Sequence, residues 1–251
     1  MTNNKTKIIG FDRKIELSWL DATAYWTSQG LSKNDTHQKL HELLEGRLSD
    51  QGERSALSKT TTVLLHIWHE VPDSLTAFRN EGLSLYRRYS GKEKVALHWG
   101  MCLATYSFFH NAAEVIGKLL EIQRHFGASQ VHRRMQEFYG ERSTLLYAIQ
   151  RVVRSISSWG LLDQGNKRGD YMPIEKIDLR LKSGLSEWLA EALFHGRSAT
   201  IIPLERLASA TALFPFDLAL SLENVGSNPR LELFRQALDE NVVSLKTHRK
   251  G

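Results

Sequence analysis

Basic side chains are concentrated in one short segment of this sequence. The segment from Ser129 to Asp170 contains seven arginines or lysines and four acidic residues, so it carries +3 of the chain's formal net charge of +5. Guanidinium and ammonium groups neutralise phosphates, which makes the binding that depends on them sensitive to salt. The segment is therefore a candidate surface for a nucleic-acid backbone, although an arginine-bearing helix face is often only solvated.

The elements predicted to position these charges are two helices and a pair of strands. Apolar periodicity predicts a short helix over Ser129–Tyr139, a tight connection, and a longer helix over Ser143–Trp159. Two extended pieces then flank a glycine-rich basic turn at 164–170, and Pro173 in the second piece favours an edge strand. This order predicts a winged helix-turn-helix near residues 129–177, while a helix pair followed by a hairpin is also a common packing unit.

A helix that reads DNA needs an apolar back to dock and a polar front to enter the major groove. The second helix has both, and the N-terminal members of its front would approach base edges. The candidate contacts on this front are Arg142, Ser143, Thr144, Tyr147, Gln150, Arg151 and Arg154. Gln150 suits adenine, and the arginines suit guanine or phosphate. Further candidates lie on the first helix and at the turn, where the tip would reach the flanking backbone or minor groove: Arg133, Arg134, Asn166, Lys167 and Arg168.

The rest of the sequence predicts a mainly α protein in three parts. Residues 1–127 form an N-terminal bundle of about six helices, residues 128–180 hold the winged helix-turn-helix, and residues 181–251 form a small α/β C-terminal extension. The bundle includes a helix capped by Ser32. The other predicted elements that bear on the fold are a strand at Ile8–Phe11, helices at Glu93–Phe109, Asn111–Phe126, Leu185–Phe194, Pro203–Ala212 and Arg230–Leu238, and strands at Phe216–Leu222 and Val242–Leu245.

Several residue pairs have the types and spacing of metal or nucleophile sites. His37 and His41, like His66 and His69, could share a helix face, but neither pair has a clear third ligand. Cys102 lies four residues after His98 in an apolar run, which favours a buried thiol over a nucleophile, since a nucleophile must be exposed and polarised.

The acidic residues near the N-terminus are also weak candidates for catalysis. Asp12, Glu16 and Asp21, with Lys14, do not make a convincing two-metal nuclease set. No phosphate-binding loop of the Walker or dinucleotide type occurs. We therefore expect no enzymatic activity, no metal and no cofactor.

The hydropathy and cysteine content predict a cytoplasmic protein without a membrane partner. Val95–Ala113 contains no Asp, Glu, Lys or Arg, but its histidines, threonine, serine and asparagine are too polar for hydrocarbon, which favours a buried helix. The single cysteine rules out an intrachain disulfide and suits a reducing compartment. Residues 1–9 are polar and carry no signal-peptide core.

The segment from Tyr139-Gly-Glu-Arg-Ser-Thr144 to Val153-Arg-Ser-Ile-Ser-Ser-Trp-Gly-Leu-Leu-Asp163 resembles the winged-helix part of the BrxA proteins of BREX phage-defence systems. The preceding bundle is similar in plan, with Leu64–Trp68, the turn at 79–82 and the helix at 95–109, and Leu238–Leu245 also has the family's character. The resemblance spans roughly residues 15–180 and implies a NusB-like helical domain, a winged helix, DNA binding and no catalysis. The chain is longer than that plan after about residue 185.

Four functional hypotheses follow. The first is a non-catalytic double-stranded DNA-binding accessory protein of a BREX-like antiviral defence system, which also engages other proteins of that system. The second is a transcriptional regulator that uses the same winged helix. The third is a helical scaffold that binds only protein, and the fourth is a nuclease. Duplex binding at low salt separates the first two from the third.

Overall fold

The structure is a computed structural model that describes residues 8–52, 55–182, 184–196, 201–236 and 240–246. Within these ranges the chain is mainly helical, with small sheets in its second half. The helices of the N-terminal half are α1 Leu17–Ser28, α2 Lys33–Leu44, α3 Ala56–Trp68, α4 Thr76–Arg88, α5 Lys92–Thr105 and α6 Ser107–Ile122. Among the described residues, no helix combines the length and the apolarity that crossing a bilayer requires.

The predicted bundle and its buried helix are confirmed. Ser32 caps α2 by accepting a hydrogen bond from the Asp35 backbone N–H at 3.2 Å. Every residue of α5 from Val95 to Ala104 is buried, because the helix lies in the centre of the bundle with neighbours on all sides.

The position of the break after this central helix was predicted wrongly. A helix was expected to run to Phe109, but it ends at Thr105, and Tyr106 is extended with φ −124° and ψ 99°. The Tyr106 ring packs edge-on against Phe11 and His66, with ring centroids 5.6 and 5.2 Å apart. A uniformly apolar stretch gives no periodic signal for such a break, which these contacts from other segments stabilise.

The next two helices are preceded by one strand and followed by two, and these three strands form an antiparallel sheet. The elements are β1 Phe126–Gly127, α7 Ala128–Tyr139, α8 Leu145–Ser158, β2 Leu162–Gln164 and β3 Asp170–Pro173. The strand order is β1-β3-β2, so β3 is the middle strand and the edge-strand prediction from Pro173 is wrong. Pro173 is tolerated because β1 pairs only with Asp170 and Tyr171, leaving no second partner at position 173.

Strand β1 was also missed, since a helix was predicted to continue to Phe126. The helix α6 ends at Ile122, and Phe126 then pairs with Tyr171 of β3, where the two rings stack with centroids 5.8 Å apart. A two-residue strand has no periodicity of its own, so only its partner 45 residues later identifies it.

The C-terminal part contains the remaining helices and strands. They are β4 Ile177–Asp178, α9 Leu185–His195, β5 Ile201–Pro203, α10 Leu204–Ala208, β6 Phe216–Asp217, α11 Leu222–Ser227, β7 Leu231–Gln236 and β8 Glu240–Leu245. Strands β4 and β6 pair in parallel, and β5, β8 and β7 form an antiparallel sheet with β8 in the middle. The predicted helix α9 and strand β8 are confirmed.

Four predictions at the two ends of the chain are wrong or too long. The helix predicted over Pro203–Ala212 covers only Leu204–Ala208, and Pro203 belongs to strand β5. The helix predicted at Arg230–Leu238 is strand β7 over residues 231–236, because Leu231 and Leu233 pair with Leu245 and Val243 of β8; residues 237 and 238 lie outside the described part. The strand predicted to end at Leu222 covers only residues 216 and 217. Residues 8–11 form no strand.

Helix α9 packs into the N-terminal bundle through Trp188. The Trp188 ring lies parallel to Phe78 of α4 with centroids 4.4 Å apart, and its Nε1 donates to the Phe78 carbonyl at 2.9 Å. Gly82 and Gly100 provide the space, since a Cβ at Gly82 would lie 2.7 Å from Trp188 Cζ2. Buried residues from all three predicted parts of the chain belong to one continuous hydrophobic core.

Candidate nucleic-acid interface

Helix α8 has an apolar back and a polar front, as its periodicity predicts. Its buried apolar residues recur every three or four positions, the spacing of one helix face: Leu145, Ala148, Ile149, Val152, Val153 and Ile156. Helix α8 packs on α7 and on α6. The opposite face is therefore the one available to a ligand.

The predicted contact residues differ in their exposure. Ser143 and Thr144 are exposed and precede the first residue of α8, so they belong to the connection between the two helices. Tyr147, in the first turn of α8, has 62% of its surface exposed. Arg142 and Gln150 are half-buried.

Arg151 is held by the N-terminal segment of the chain. Its Nη1 donates to the Asp12 carbonyl at 2.7 Å. Two further contacts fix the same segment along α8: the Ile15 N–H donates to Ser155 Oγ at 2.9 Å, and Trp159 Nε1 donates to the Ile15 carbonyl at 2.8 Å. Residues 12–15 therefore lie across the C-terminal half of α8.

This arrangement forms an open cavity of about 840 Å³, which we call the basic groove. It lies between the N-terminal segment, α8 and the β2–β3 hairpin, and its lining residues are Lys14, Arg154, Ser157, Ser158, Gln164, Arg168, Gly169 and Tyr171. Three cationic side chains from three separate segments line the groove, and no carboxylate does among the described residues. Lys14 also forms an ion pair with Glu16, with Nζ and Oε1 2.6 Å apart.

The chemistry of this lining suits a phosphate. Cationic nitrogens supply charge, and the Gln164 amide can donate a hydrogen bond to a phosphate oxygen. The hydroxyls of Ser157 and Ser158 already donate to the carbonyls of Leu162 and Ser155, at 3.2 and 2.9 Å. The ring of Tyr171 adds an apolar wall beside them. Arg154 is exposed on α8 and also lines the groove.

The hairpin tip lies next to the groove. Asn166, Lys167 and Arg168 are exposed, and Arg168 borders both the basic groove and a second cavity of about 450 Å³ around the tip. The base of the tip is held by Asp170, whose carboxylate lies 3.1 Å from His125 Nδ1 and whose carbonyl accepts from the Gly165 N–H at 2.8 Å. The tip is thus a short loop whose base is held by the contacts of Asp170 and whose polar side chains are exposed.

The two arginines predicted on the first helix lie outside the groove. Arg133 is exposed and Arg134 half-buried on α7, and neither belongs to the groove lining. Helix α7 is tied to α6 by Asn111, which donates to the Tyr139 hydroxyl at 2.9 Å. Burial raises the pKa of Tyr139, so the phenol stays protonated at neutral pH.

Some groove residues carried a sequence signal that was not used, and others carried none. Ser157 and Ser158 follow Arg154 by three and four positions on α8, so helical spacing places them on the same face. Lys14 is 140 residues from Arg154 and has no local signal for this role. Only the contacts of residues 12–15 with α8 bring it to the groove.

The other candidate sites are each occupied by structural contacts. The rings of His37 and His41 stack with centroids 4.4 Å apart, and His69 Nε2 lies 3.1 Å from the Leu31 carbonyl. In the described ranges, no group of three or more His, Cys, Asp or Glu residues is placed to hold a metal ion. Cys102 is buried, and this burial raises the pKa of its thiol well above the usual range.

The acidic residues near the N-terminus do not converge on one point. Asp12 faces Arg13 at 3.6 Å, and Glu16 is paired with Lys14. Asp21 lies in the bundle, where its Oδ1 is 3.6 Å from His98 Nε2 and accepts from the Tyr86 hydroxyl at 2.8 Å. Interaction with His98 lowers the pKa of Asp21 most, burial opposes it, and Tyr86 lowers it further.

Comparison of the chain with protein-family models, with curated proteins and with solved structures finds no match.

Proposed function

We propose that this protein binds double-stranded DNA through a winged helix-turn-helix formed by α7, α8 and the β2–β3 hairpin. In this proposal α8 enters the major groove, and the hairpin tip contacts the flanking backbone or minor groove. The strand order β1-β3-β2 around a helix pair supports it, because it ties a wing-like hairpin to the strand that precedes the helices. The exposed front of α8 supports it as well.

The single observation that carries the proposal is the basic groove. Lys14, Arg154 and Arg168 converge there from three segments, and the lining contains no carboxylate among the described residues. Lys14 is already paired with Glu16, whereas no ion pair of Arg154 or Arg168 occurs among the described residues. A DNA backbone supplies a regular row of anions that can bind these two arginines. The exposed Tyr147, Ser143 and Thr144 would then face the bases.

The biological context of the proposal rests on the resemblance to BrxA. On that basis the protein acts without catalysis, in the bacterial cytoplasm, as an accessory protein of a BREX-like phage-defence system. The helical bundle would engage other proteins of the system. A transcriptional regulator would use the same surface, and a strong preference for one promoter sequence distinguishes it.

A titration of labelled duplex DNA at low and moderate salt tests the proposal. We expect binding at low salt that weakens as salt rises, and at least a tenfold loss for the double variant Arg154→Glu and Arg168→Glu. The matched control is Arg47→Glu with Lys59→Glu, two exposed cations of the bundle that do not line the groove. Absence of duplex binding at low salt, or equal losses for the two double variants, would overturn the proposal.

A further inference from the structure

The basic groove contains an aromatic ring beside its cations. Tyr171, in the middle strand β3, lines the groove together with Gln164 of β2. Phosphate contacts require cations and hydrogen-bond donors but no aromatic ring. Sites for single-stranded nucleic acid combine cations with such a ring, because every base has a face that stacks on an aromatic side chain. The groove therefore has the components of a site for a nucleotide whose base is unpaired.

The register of the sheet places Tyr171 on the same face as Gln164 and Phe126. Residues directly opposite each other in antiparallel strands have side chains on the same face, and Tyr171 lies opposite Phe126 of β1 and Gln164 of β2. Phe126 is buried, Tyr171 is half-buried and Gln164 is exposed. This face of the sheet thus runs from the hydrophobic core to solvent, and Tyr171 lies between the two.

The ring of Tyr171 is held in place by Phe126. The two rings stack with centroids 5.8 Å apart and an angle of 30° between their planes. Tyr171 also lines the groove, so the contact with Phe126 leaves part of the residue available to a ligand. A side chain that is already ordered loses little conformational freedom when a base stacks on it, which favours binding.

The carboxylates of the hairpin strands lie on the opposite face of the sheet. Asp163 precedes Gln164 and Asp170 precedes Tyr171, and successive residues of a strand point to opposite faces. Asp170 is paired with His125, with Oδ2 and Nδ1 3.1 Å apart, and neither aspartate lines the groove. The face that carries the aromatic ring therefore has no carboxylate from β2 or β3 to repel a phosphate.

We propose that the basic groove holds one nucleotide with an unpaired base, the base against Tyr171 and the phosphate at Arg154 and Arg168. The inference rests on the proposed function and specifies its ligand, a duplex that ends in a single-stranded overhang. The groove volume of about 840 Å³ is within the range of small-molecule sites, about 300–1,000 Å³. The Gln164 amide, which has both a donor and an acceptor, can bind the edge of the base.

Labelled DNAs that share one duplex region test the proposal. They are a blunt duplex, duplexes with a short 5′ or 3′ overhang, and the same overhangs built from abasic nucleotides. An abasic overhang keeps the phosphates and loses the bases, so it separates stacking from charge. At low salt we expect an overhang of one polarity to bind at least fivefold tighter than its abasic form, the lower end of what one base stacked on an aromatic ring contributes.

Two substitutions at one position make the result specific. Tyr171→Leu should abolish the difference between normal and abasic overhangs, whereas Tyr171→Phe, which keeps the ring, should retain it. The matched control is Tyr147→Leu on the exposed front of α8, outside the groove, which should weaken the binding of both overhangs alike. If circular dichroism shows that Tyr171→Leu is unfolded, Gln164→Ala at the exposed rim replaces it and should reduce the same difference.

Competition by deoxyadenosine monophosphate distinguishes the source of the nucleotide. Displacement of the overhang at micromolar concentration indicates a free nucleotide, and displacement only at millimolar concentration, or none, indicates a DNA strand. Equal affinities for normal and abasic overhangs, or an unchanged difference in the folded Tyr171→Leu variant, would overturn this inference while the blunt duplex still binds. Absence of binding to every DNA would overturn the proposed function as well.

Discussion

Arg151 and Asp12 are 139 residues apart in the sequence and are joined by a hydrogen bond of 2.7 Å from the guanidinium to the backbone carbonyl. This contact lies beside the one between Ile15 and Ser155, so the N-terminal segment is held against α8 at two points. Lys14 lies between them and reaches the basic groove. Arg151, which the sequence predicts to contact DNA, thus forms a hydrogen bond with the protein's own backbone.

The first prediction concerns this contact. If Arg151 acts on DNA affinity by positioning Lys14, the losses caused by Arg151→Met and Lys14→Gln will overlap in the double variant. We expect the double variant to bind duplex DNA tighter than the two single losses predict, with a coupling of about 0.5–3 kcal/mol. Affinities of the four proteins at one salt concentration give the answer. Strictly additive losses would mean that Arg151 contacts DNA independently of Lys14.

The second prediction concerns the salt dependence of duplex binding. Each phosphate contact that is removed lowers the slope of log affinity against log salt by about 0.9. Arg154→Gln and Arg168→Gln should each reduce the slope by about one. Tyr147→Ala should weaken the binding of the duplex but leave the slope unchanged. Titrations at four or more salt concentrations measure the slopes. If the slope is the same in both arginine variants as in the unchanged protein, the basic groove is not part of the DNA interface.

The third prediction concerns the space beneath Trp188. A methyl group at Gly100 would overlap the Trp188 ring, and both residues are buried, so neither can move freely. Gly100→Ala should therefore lower the free energy of unfolding by about 1–3 kcal/mol. Urea denaturation measures it.

The matched control is Gly226→Ala on α11, where a Cβ meets open space. This change should raise the stability slightly, because alanine loses less conformational freedom than glycine in a helix. Opposite signs for the two variants are the expected result. A neutral Gly100→Ala would show that α9 can shift relative to α5.

The fourth prediction concerns Arg230 and the buried Glu191. Glu191 has no exposed surface, and it accepts from Arg230 Nε at 2.6 Å and lies 3.3 Å from His195 Nε2. Burial raises the pKa of Glu191, but the interactions with His195 and Arg230 outweigh it and hold this pKa below the ordinary 4.5. A carboxyl with a depressed pKa contributes stability above its unfolded pKa, and this contribution is lost as the pH falls.

Arg230→Met should accordingly lower the free energy of unfolding at neutral pH by about 3–5 kcal/mol, because it leaves a buried charge poorly paired. The same substitution should also reduce the loss of stability as the pH falls from 5 to 3, since the pKa of Glu191 would no longer be held down by Arg230. Chemical denaturation from pH 7 to pH 3 measures both effects. The control Arg180→Met removes an exposed ion pair and should change stability little; an equal effect in the two variants would contradict the prediction.

Local patterns were sufficient for elements whose own residues decide their structure. The apolar spacing of α8 predicted both the helix and its buried face, and Ser32 predicted the start of α2. The exposed tip at Asn166–Arg168 followed from its glycines and basic residues. These signals are short-ranged, because a helix turn or a tight loop involves residues within a few positions of one another.

Residues 230–238 show where such patterns fail. Leu231, Phe234 and Leu238 have helical spacing, while Leu231 and Leu233 alternate as in a strand, so the local sequence suits both structures. Pairing with β8 selects the strand, because it satisfies a row of backbone hydrogen bonds while Leu231 is buried and Leu233 partly buried against the core. Strand β1 and the break at Tyr106 likewise depend on partners far along the chain.

The sequence by itself determined the mainly helical class and the helix pair with its basic hairpin, and it singled out Arg154 and Arg168 among the residues that line the basic groove. Only the tertiary structure decided that Lys14 joins Arg154 and Arg168 and that Arg151 holds the N-terminal segment. The physical reason is the range of the interactions. Periodicity and capping act within one helix turn, whereas a groove or a cavity exists only after distant segments pack, and their packing depends on shape and burial that no local pattern records.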